Sequence, residues 1–423
     1  MTTVRVVPGV VSGTLRAPPS KSYTHRALVA GYLSARRYVV EAPLNAEDTR
    51  ATARALRTLG ARVVISPKRW TVRPGHSRPA GSVTIDCGES GTTLRFAAAL
   101  AARSGAATRL RGRGRLPLRP VAELFDALEK LGATCRRPRG RAALPAVIRG
   151  PLRGGHVRLD ASISSQFASA LLLTLPTVPD DSRIELVGPI VSEPYIDATL
   201  AVLRYHRIRI GRRGRRFLIE GSQTYRGDRM IVPGDASSAA YFWAAAAITG
   251  GKVRVVGLPR RWPQADFAIL DVLKSAGADV RRTEDGATVE GAGLRGFAVD
   301  LTASPDLYPL AGVIAASIPA RSRLEGAPHV VHKESDRRAG TRALVRAMGA
   351  RVVEERGGLY IEGLARPRAL RLRGLTDHRL VMSAGVAATV ANGPSQIGNG
   401  RAVAKSYPGF WVALSALGRG ARR

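Results

Sequence analysis

The strongest constraint on the fold is an internal repeat. A helix ending that closes on Gly-Ala recurs four times along the chain, and two weaker copies follow the same pattern. The six markers are Gly60, Gly132, His206, Gly277, Gly349 and Gly418. Neighbouring markers are 69 to 74 residues apart in a chain of 423 residues. Such regular spacing is typical of a protein built from similar structural units, so the sequence predicts six units of about 70 residues.

Each unit combines helix and strand. The glycine that marks the unit is predicted to lie just past a helix C-terminus, where a positive φ is needed, and the β-branched run at 63–65 shows the strand that follows. The fold class is therefore α/β. Six such units exceed one ordinary core, so two lobes of three units are expected, with a ligand site in the cleft between them. A regular solenoid is the alternative, although the polar loops between the repeats differ sharply.

The charge of the chain is extreme, with 66 basic against 32 acidic residues and a net charge of +34. A field of this size attracts nucleic acid, anionic membrane surfaces or small polyanions. Aromatic residues make up only 5% of the chain, and the arginines are scattered through every segment. Nucleic-acid binding usually combines basic runs with aromatic side chains, so it is not favoured here, and charge alone does not choose among the other partners.

The sequence also indicates where such a protein works. No stretch approaches the roughly 18–20 apolar residues of a membrane span, and the first residues lack a signal-peptide pattern. We expect a cytoplasmic, globular protein without membrane partners. Cys87 and Cys135 are too few for a disulfide framework and have no companions at zinc-ligand spacing, so no structural metal is expected.

Four polar loops stand directly before apolar helix patterns, at 20–26, 88–95, 162–166 and 234–238. Small hydroxyl residues and glycines at a helix start leave backbone N–H groups near one point, where an anion can bind. Each loop taken alone is equally well explained by serine capping of the helix. Four such loops in one chain favour an anionic substrate, and none is a Walker or dinucleotide motif.

The second half of the chain adds charged clusters at 332–337, 377–379 and 404–408. Such clusters are by themselves typical of a solvated helix face. In combination with the four loops, however, they resemble the 5-enolpyruvylshikimate-3-phosphate synthases, an enolpyruvyl transferase family of the shikimate pathway. The resemblance covers nearly the whole chain and is carried by SKSYTHR at 20–26, EDTR at 47–50, SGTTLR at 90–95, RP at 119–120, SISSQF at 162–167, SEPYID at 192–197, GDASSAAYF at 234–242, PDLYP at 305–309, HKESDR at 332–337, DHR at 377–379 and AKSYP at 404–408.

The resemblance implies two domains of three βαβαββ units each, with a cleft between them. One domain would comprise residues 1–19 and 234–423 and the other residues 20–233, with crossover hinges near 19 and 233. The implied reaction transfers the enolpyruvyl group of phosphoenolpyruvate to a hydroxyl of shikimate 3-phosphate and releases phosphate through a tetrahedral adduct. It implies two small-molecule substrates, no cofactor, no metal, and inhibition by glyphosate. Independently of the resemblance, we expect a monomer without a nucleic-acid partner.

The resemblance also assigns site residues. It places shikimate 3-phosphate on Lys21, Ser22, Arg26, Ser164, Ser165, Gln166, Ser192, Asp306 and Lys333. It places phosphoenolpyruvate on Lys21, Gly91, Arg119, Gln166, Arg337, Arg379 and Lys405. Asp306 would be the base on the attacking hydroxyl, Glu334 and Lys405 would surround proton delivery to the methylene carbon, and Lys21 would reach both substrates. Three of these residues are among the few lysines of an arginine-rich chain, which suits positions that need a compact ammonium.

Three positions depart from the usual family pattern. Pro19 replaces a common glycine, and Glu89 and His329 replace common asparagines. A carboxylate at 89 would repel an anion unless an arginine nearby is paired with it. Two other functions remain open: the related transferase that acts on UDP-N-acetylglucosamine, and a basic nucleic-acid-binding repeat protein. The first usually carries a reactive cysteine on the loop that corresponds to 111–120, which has none here.

Overall fold

The computed structural model describes residues 2–75, 81–140 and 142–418. The α-helices in these ranges are α1 (Lys21–Leu33), α2 (Glu47–Thr58), α3 (Gly91–Ala101), α4 (Ala122–Lys130), α5 (Ser165–Thr174), α6 (Pro194–Tyr205), α7 (Ala236–Thr249), α8 (Ala268–Ser275), α9 (Tyr308–Ala316), α10 (Arg337–Ala347), α11 (His378–Val390) and α12 (Phe410–Gly418). The strands are β1 (Val4–Val6), β2 (Gly13–Arg16), β3 (Tyr38–Glu41), β4 (Arg62–Ile65), β5 (Arg69–Arg73), β6 (Val83–Asp86), β7 (Thr108–Arg111), β8 (Thr134–Arg136), β9 (Ala146–Arg149), β10 (Gly155–Asp160), β11 (Ser182–Val187), β12 (Ile210–Arg213), β13 (Arg216–Ile219), β14 (Arg229–Ile231), β15 (Lys252–Val256), β16 (Asp279–Thr283), β17 (Gly286–Glu290), β18 (Ala298–Asp300), β19 (Arg321–Glu325), β20 (Arg351–Glu355), β21 (Gly358–Glu362), β22 (Arg371–Leu372) and β23 (Ser395–Ile397).

The chain divides into two compact units. Residues 19–233 form one, here named the middle unit, and residues 1–18 with 234–423 form the other, named the terminal unit. Within the described ranges, the middle unit contains the sheets β14-β3-β5-β4, β6-β7-β9-β8 and β10-β11-β13-β12. The terminal unit contains the sheets β16-β17-β15-β2, β18-β19-β21-β20 and β1-β23-β22.

The repeat is a βαβαββ segment. Residues 83–149 run β6-α3-β7-α4-β8-β9, and residues 155–219 and 298–362 follow the same order. In each of these three sheets the first two strands are parallel, because a helix connects them, while the last two form an antiparallel hairpin. The predicted α/β fold of repeated units is confirmed.

Two sheets are completed by strands from distant parts of the sequence. Strand β14 pairs in parallel with β3 of the middle unit, joining Met230 to Val40. Strand β2 pairs in parallel with β15 of the terminal unit, joining Leu15 to Val255. Each of these strands stands where the repeat requires its first strand. The chain therefore passes between the units directly after β2 and directly after β14.

The Gly-Ala markers are helix ends. Gly60, Gly132, Gly277 and Gly349 have φ between 90° and 101°, a conformation that favours glycine. The following alanine amide bonds back to the last helical turn, as from Ala61 N to Leu56 O at 3.0 Å, which satisfies a carbonyl that the helix itself leaves open.

The marker assigned to the third unit was wrong by one residue. The left-handed position there belongs to Arg207, with φ 58°, and not to His206. His206 is the residue that ends the helix, and the amide of Ile208 makes the return bond to Leu203 O at 2.9 Å. Arg207 thus adopts the left-handed conformation that glycine adopts at the four Gly-Ala markers.

Both units are built around buried helices. Helices α1, α3 and α5 of the middle unit, and α7, α9 and α11 of the terminal unit, are buried over nearly their whole length. A helix that is apolar all round is stable only inside a core, and here the sheets supply the outer layer. The polar loops found in the sequence precede these inner helices, so the fold brings their N-terminal residues to the core of each unit.

Two further sequence expectations concern location and cysteine chemistry. Of the helices described, none has the length and apolar character needed to cross a membrane. Cys87 and Cys135 are free cysteines, and both are buried. Burial raises the pKa of each thiol to about 12. Both are therefore held as neutral thiols and are poor nucleophiles.

Candidate active site

Serine residues cap the inner helices of the middle unit. Ser90 Oγ accepts from the amide of Thr93 at 3.2 Å, and Ser164 Oγ accepts from the amide of Gln166 at 3.3 Å. Ser20 caps α1 in the same way. The capping explanation of these loops is therefore correct for the three serines. Capping satisfies only part of a helix start, so the remaining N–H groups still favour an anion there.

Lys21 is paired with a carboxylate that the sequence analysis did not assign. Its Nζ lies 3.2 Å from Asp48 Oδ2, and the two side chains are 14% and 6% exposed. Asp48 stands in the first turn of α2. The EDTR motif was the available signal, but nothing in the sequence shows which lysine that motif faces.

Arg26 is buried and bonded to protein oxygens. It donates to Thr199 Oγ1 at 2.9 Å, to Tyr195 O at 2.9 Å and to Ser22 O at 3.0 Å. Burial lowers the pKa of this arginine to about 10. In this arrangement Arg26 joins α1 to α6. Its contact with shikimate 3-phosphate stays a prediction.

Gly91 leaves space for two arginines. A Cβ at this position would lie 2.7 Å from Arg119 Nη1 and 2.6 Å from Arg95 Nη1. Arg119 follows a short 3-10 helix, Leu116–Leu118, and is itself buried. A side chain at this position would therefore require the guanidinium groups of both arginines to shift.

Arg95 contacts the predicted site residue Gln166 and was not itself assigned from the sequence. It donates to Gln166 Oε1 at 2.8 Å and to Pro120 O at 2.7 Å. Gln166 in turn donates to Thr92 Oγ1 at 3.3 Å, so α3 and α5 are joined through this pair. The available sequence signal was the SGTTLR motif, whose last residue is Arg95, one helical turn after Gly91.

The other predicted residues of the middle unit lie at helix starts. Ser22 belongs to the first turn of α1, and Ser165 is the buried first residue of α5. Ser192 is buried two residues before α6 and has φ 55°, a left-handed conformation. Glu89 is exposed, and a Cβ at Gly114 would lie 2.7 Å from its Oε1, so this carboxylate packs against the loop that carries Arg119.

Arg337 is the centre of the charged cluster in the terminal unit. Its guanidinium donates to Asp306 Oδ1 at 2.6 Å, to Glu334 Oε2 at 2.8 Å and to Asp377 Oδ2 at 2.9 Å. Burial by itself disfavours the charged form, but the three carboxylates outweigh burial and raise the pKa of Arg337 above its ordinary value. The cluster at 332–337 is therefore not a solvated helix face.

Asp306 joins two arginines. Its second oxygen, Oδ2, accepts from Arg379 Nη2 at 2.8 Å, and the other end of Arg379 donates to Ser237 Oγ at the start of α7. The cluster thus brings together the predicted residues Asp306, Glu334, Arg337 and Arg379. Asp377, which the sequence analysis did not assign, caps α11 and orients Arg337.

Two short 3-10 segments of the same unit carry or adjoin His329, Lys333 and Lys405. Lys333 follows Pro328–His332 and is half-buried, whereas Lys405 ends Gly400–Lys405 and is buried. Burial, assisted by Lys333, lowers the pKa of His329 to about 3 against the opposing effect of Asp306. The residue that replaces the family's common asparagine is therefore a neutral imidazole influenced by the Asp306 and Arg337 charges.

These arrangements offer two kinds of chemistry. The middle unit gathers helix N-termini, hydroxyl groups and cations, which bind anions. The terminal unit gathers carboxylates with arginines, which suits proton transfer beside a charged ligand. In the part of the chain that the structure describes, no group of three or more histidine, cysteine, aspartate or glutamate side chains is placed to hold a metal ion.

Comparison with known proteins identifies the family. The model of the family described as EPSP synthase (3-phosphoshikimate 1-carboxyvinyltransferase) matches residues 7–414. The chain is 41% identical to the 3-phosphoshikimate 1-carboxyvinyltransferase of Thermococcus kodakarensis, covering 96% of this chain and 98% of the relative. It is 38% identical to the enzyme of the same name from Methanocorpusculum labreanum, covering 96% of each. The solved structure of EPSP synthase from Acinetobacter baumannii matches the fold with a TM-score of 0.81, at 23% identity and 98% coverage of both chains. This chain therefore belongs to the EPSP synthase family.

Proposed function

We propose that this chain transfers the enolpyruvyl group of phosphoenolpyruvate to a hydroxyl of shikimate 3-phosphate and releases phosphate, as a step of aromatic amino-acid biosynthesis. The observation that carries the proposal is the family match over residues 7–414. The arrangement of the site supports it, since both substrates are polyanions and both clusters contain the cations that such substrates require.

The middle unit provides most of the proposed anion contacts. Ser22, Ser164, Ser165 and Ser192 lie at or next to helix starts and offer hydroxyl or amide donors to shikimate 3-phosphate. Gly91 and Arg119 would face phosphoenolpyruvate, with Arg119 held beside the glycine by close packing. Lys21 would bring an ammonium to both substrates, and Gln166 would be held in place by Arg95.

The terminal unit provides the proposed acid–base groups. The hydroxyl oxygen of shikimate 3-phosphate would form a bond to C2 of phosphoenolpyruvate, and Asp306 would take the proton of that hydroxyl. The methylene carbon would receive a proton from the side where Glu334 and Lys405 stand, which gives a tetrahedral adduct. Loss of a proton from the new methyl group then restores the double bond as the bond between C2 and the phosphate oxygen breaks. Arg337 and Arg379 would offset the carboxylate of phosphoenolpyruvate, together with Lys333 on the acceptor phosphate.

The arginine contacts give this mechanism a specific order of events. Asp306 already occupies Arg337 and Arg379 with its two oxygens. A phosphoenolpyruvate carboxylate that approaches these arginines from the side of Asp306 would compete with it for one or both of them. Displacement frees an oxygen of Asp306 to accept a proton from the hydroxyl, so the incoming substrate would itself release the base.

The finer parts of the proposal concern the setting of the enzyme. We propose that it works as a cytoplasmic monomer on small-molecule substrates, without a nucleic-acid partner. Size-exclusion chromatography with light scattering tests the monomer, and titration with duplex DNA at physiological salt tests the nucleic-acid expectation. Tight, salt-resistant DNA binding would contradict it, because non-specific electrostatic binding weakens strongly as salt rises.

The test of the activity is a phosphate-release assay with two acceptors. The chain is incubated with phosphoenolpyruvate and either shikimate 3-phosphate or UDP-N-acetylglucosamine, and the carboxyvinyl product is identified by mass spectrometry. We expect product only with shikimate 3-phosphate. Product with the nucleotide sugar would assign the chain to the related transferase, and absence of product with both would refute the proposed activity.

A further inference from the structure

A buried row of side chains connects α1, α2 and α3 of the middle unit. His25 Nδ1 lies 2.7 Å from Thr52 Oγ1, and Thr52 Oγ1 lies 2.7 Å from Thr93 Oγ1. Thr93 Oγ1 lies 2.8 Å from Ser90 Oγ, the cap that directly precedes Gly91. All four side chains are at most 2% exposed. The row therefore runs through the core and ends at the proposed phosphoenolpyruvate cradle.

The hydrogen bonds in this row have a direction. The Thr93 hydroxyl also lies 3.3 Å from the carbonyl oxygen of Asp48, which can only accept. The proposed direction sends its single hydrogen to Asp48 O or to Ser90 Oγ, which makes Thr52 the donor to Thr93. With its own hydrogen used in this way, Thr52 accepts from His25, and the hydrogen of the neutral imidazole is on Nδ1.

The surroundings of His25 agree with this tautomer. Its Nε2 is buried and has no hydrogen-bond partner among the described residues. A buried N–H without a partner is rarer in proteins than a buried acceptor without one, so the hydrogen belongs on Nδ1. Burial, together with the charges of Lys21 and Arg26, lowers the pKa of His25 well below its ordinary value. The ring is thus neutral and able to hold a fixed tautomer.

The row ends beside residues that are proposed to bind phosphoenolpyruvate. Asp48 accepts from Thr93 through its backbone and pairs with Lys21 through its side chain. Ser90 fixes the turn before Gly91, whose missing Cβ leaves room for Arg119. A shift of this turn would move Gly91 toward or away from Arg119. Ser164 and Ser192, which are proposed to bind shikimate 3-phosphate, lie on other elements and are not part of the row.

We infer that His25, Thr52 and Thr93 are positioning residues that hold Ser90 and Gly91 in place for phosphoenolpyruvate. They act through Ser90 and do not touch the substrate. This inference deepens the proposed function and rests on it for the identity of the ligand. Its specific consequence is that damage to the row impairs phosphoenolpyruvate binding before it impairs the acceptor or the chemistry.

The test uses Thr52→Val, which keeps the side-chain shape and removes the hydroxyl. We expect KM for phosphoenolpyruvate to rise by about three- to tenfold, the effect of one lost hydrogen bond, with kcat and KM for shikimate 3-phosphate within about twofold of wild type. Thr52→Ser should restore the wild-type values, because it restores the hydroxyl. Thr58→Val on the same helix is the matched control and should change none of them, since among the described residues the Thr58 hydroxyl bonds to Arg54 O in its own helix and does not belong to the row.

A second measurement does not depend on activity. The ¹⁵N chemical shifts of the His25 ring should show the Nδ1–H tautomer in the wild type, and Thr52→Val should abolish that preference. An Nε2–H ring in the wild type would overturn the proposed direction of the row. Equal rises in both KM values with a parallel loss of kcat would also overturn the inference, because they would indicate a general structural defect.

The two proposals fail in different ways. If the wild-type chain releases no phosphate, the proposed function is wrong, and calorimetric titration of wild type and Thr52→Val with phosphoenolpyruvate still tests the row. Equal affinities, or no binding to either chain, would then refute the positioning role. If the wild type is active and Thr52→Val has an unchanged KM for phosphoenolpyruvate, only the positioning role is wrong.

Discussion

Asp306 Oδ1 lies 2.6 Å from Arg337 Nη1, so the residue proposed as the catalytic base is bonded to a residue proposed to bind phosphoenolpyruvate. The guanidinium is 1% exposed and the Asp306 side chain is 19% exposed. Charge-assisted bonds of this length are among the stronger contacts in a protein. The proposed base and the proposed substrate carboxylate would therefore share one guanidinium.

Replacement of Asp306 by asparagine separates its proposed role as a base from its competition with the substrate for Arg337 and Arg379. The amide cannot take a proton, so kcat should fall by about 10²- to 10⁴-fold, the usual contribution of a general base. It also competes less strongly for Arg337 and Arg379, so KM for phosphoenolpyruvate should stay the same or decrease. Ser237→Ala is the control, because it removes a different partner of Arg379 without touching the proposed base. An increase in KM with normal kcat would make Asp306 a substrate clamp.

Lys21→Ala should remove most turnover, because it takes an ammonium from both proposed substrates. The pair with Asp48 adds a second effect, since Asp48 is 5% exposed and would lose its cation. We expect the free energy of unfolding to fall by about 1–3 kcal/mol, the effect of losing a charged hydrogen bond. The double variant Lys21→Ala/Asp48→Asn should regain stability in urea titrations and stay inactive. Recovery of turnover in the double variant would show that Lys21 serves only to neutralise Asp48.

His329 should make the free energy of unfolding vary with pH. Its pKa is about 3 in the folded chain against an ordinary value of 6.5, so the unfolded chain binds more protons between these limits. Stability therefore rises with pH in this window and falls on acidification, by up to about 1.4 kcal/mol per pH unit for this residue. Urea titrations at several pH values, for wild type and His329→Asn, measure the difference in slope. His25 adds a similar slope to both chains, so the difference isolates His329, and equal slopes would contradict the prediction.

The sequence predicted the repeat and most loops of the site because both depend on local pattern. A glycine after a helix and a serine before one are short-range signals, and the structure confirms them at Gly60 and Ser90. Partners such as Asp48 for Lys21 and Asp377 for Arg337 were missed. These pairs join elements that are distant in the sequence, and periodicity carries no information about which helix faces which.

The charged cluster at 332–337 shows why the local pattern fails. Alternating charges next to a helix start usually indicate a solvated surface, and this was the expectation for the segment taken alone. Arg337 is nonetheless among the most buried side chains, because Asp306, Glu334 and Asp377 surround it with three carboxylates. Two of those three come from other parts of the chain, so only the tertiary structure reveals that the charge is compensated.

The final prediction concerns Gly91 and the inhibitor glyphosate, which in the resembled family takes the place of phosphoenolpyruvate. Inhibition of the wild type should be competitive with that substrate. A methyl group at this position would lie 2.7 Å from Arg119 Nη1 and 2.6 Å from Arg95 Nη1, so Gly91→Ala should force both guanidinium groups to move. Overfilling a packed site costs about 1–3 kcal/mol, and we expect the inhibition constant of glyphosate to rise more than KM for the smaller substrate.

The route of that effect can be tested by a double-mutant cycle. If the methyl acts by displacing Arg119, Gly91→Ala should change the calorimetric affinity for glyphosate, with shikimate 3-phosphate present, much less in an Arg119→Ala background than in the wild type. Arg119→Ala alone should lose most turnover without a change in thermal midpoint, because its charge serves the site. Additive losses would show that the methyl meets the ligand directly. A wild-type chain indifferent to glyphosate would instead point to Glu89, whose carboxylate packs against Gly114 on the Arg119 loop and would then have reshaped the inhibitor site.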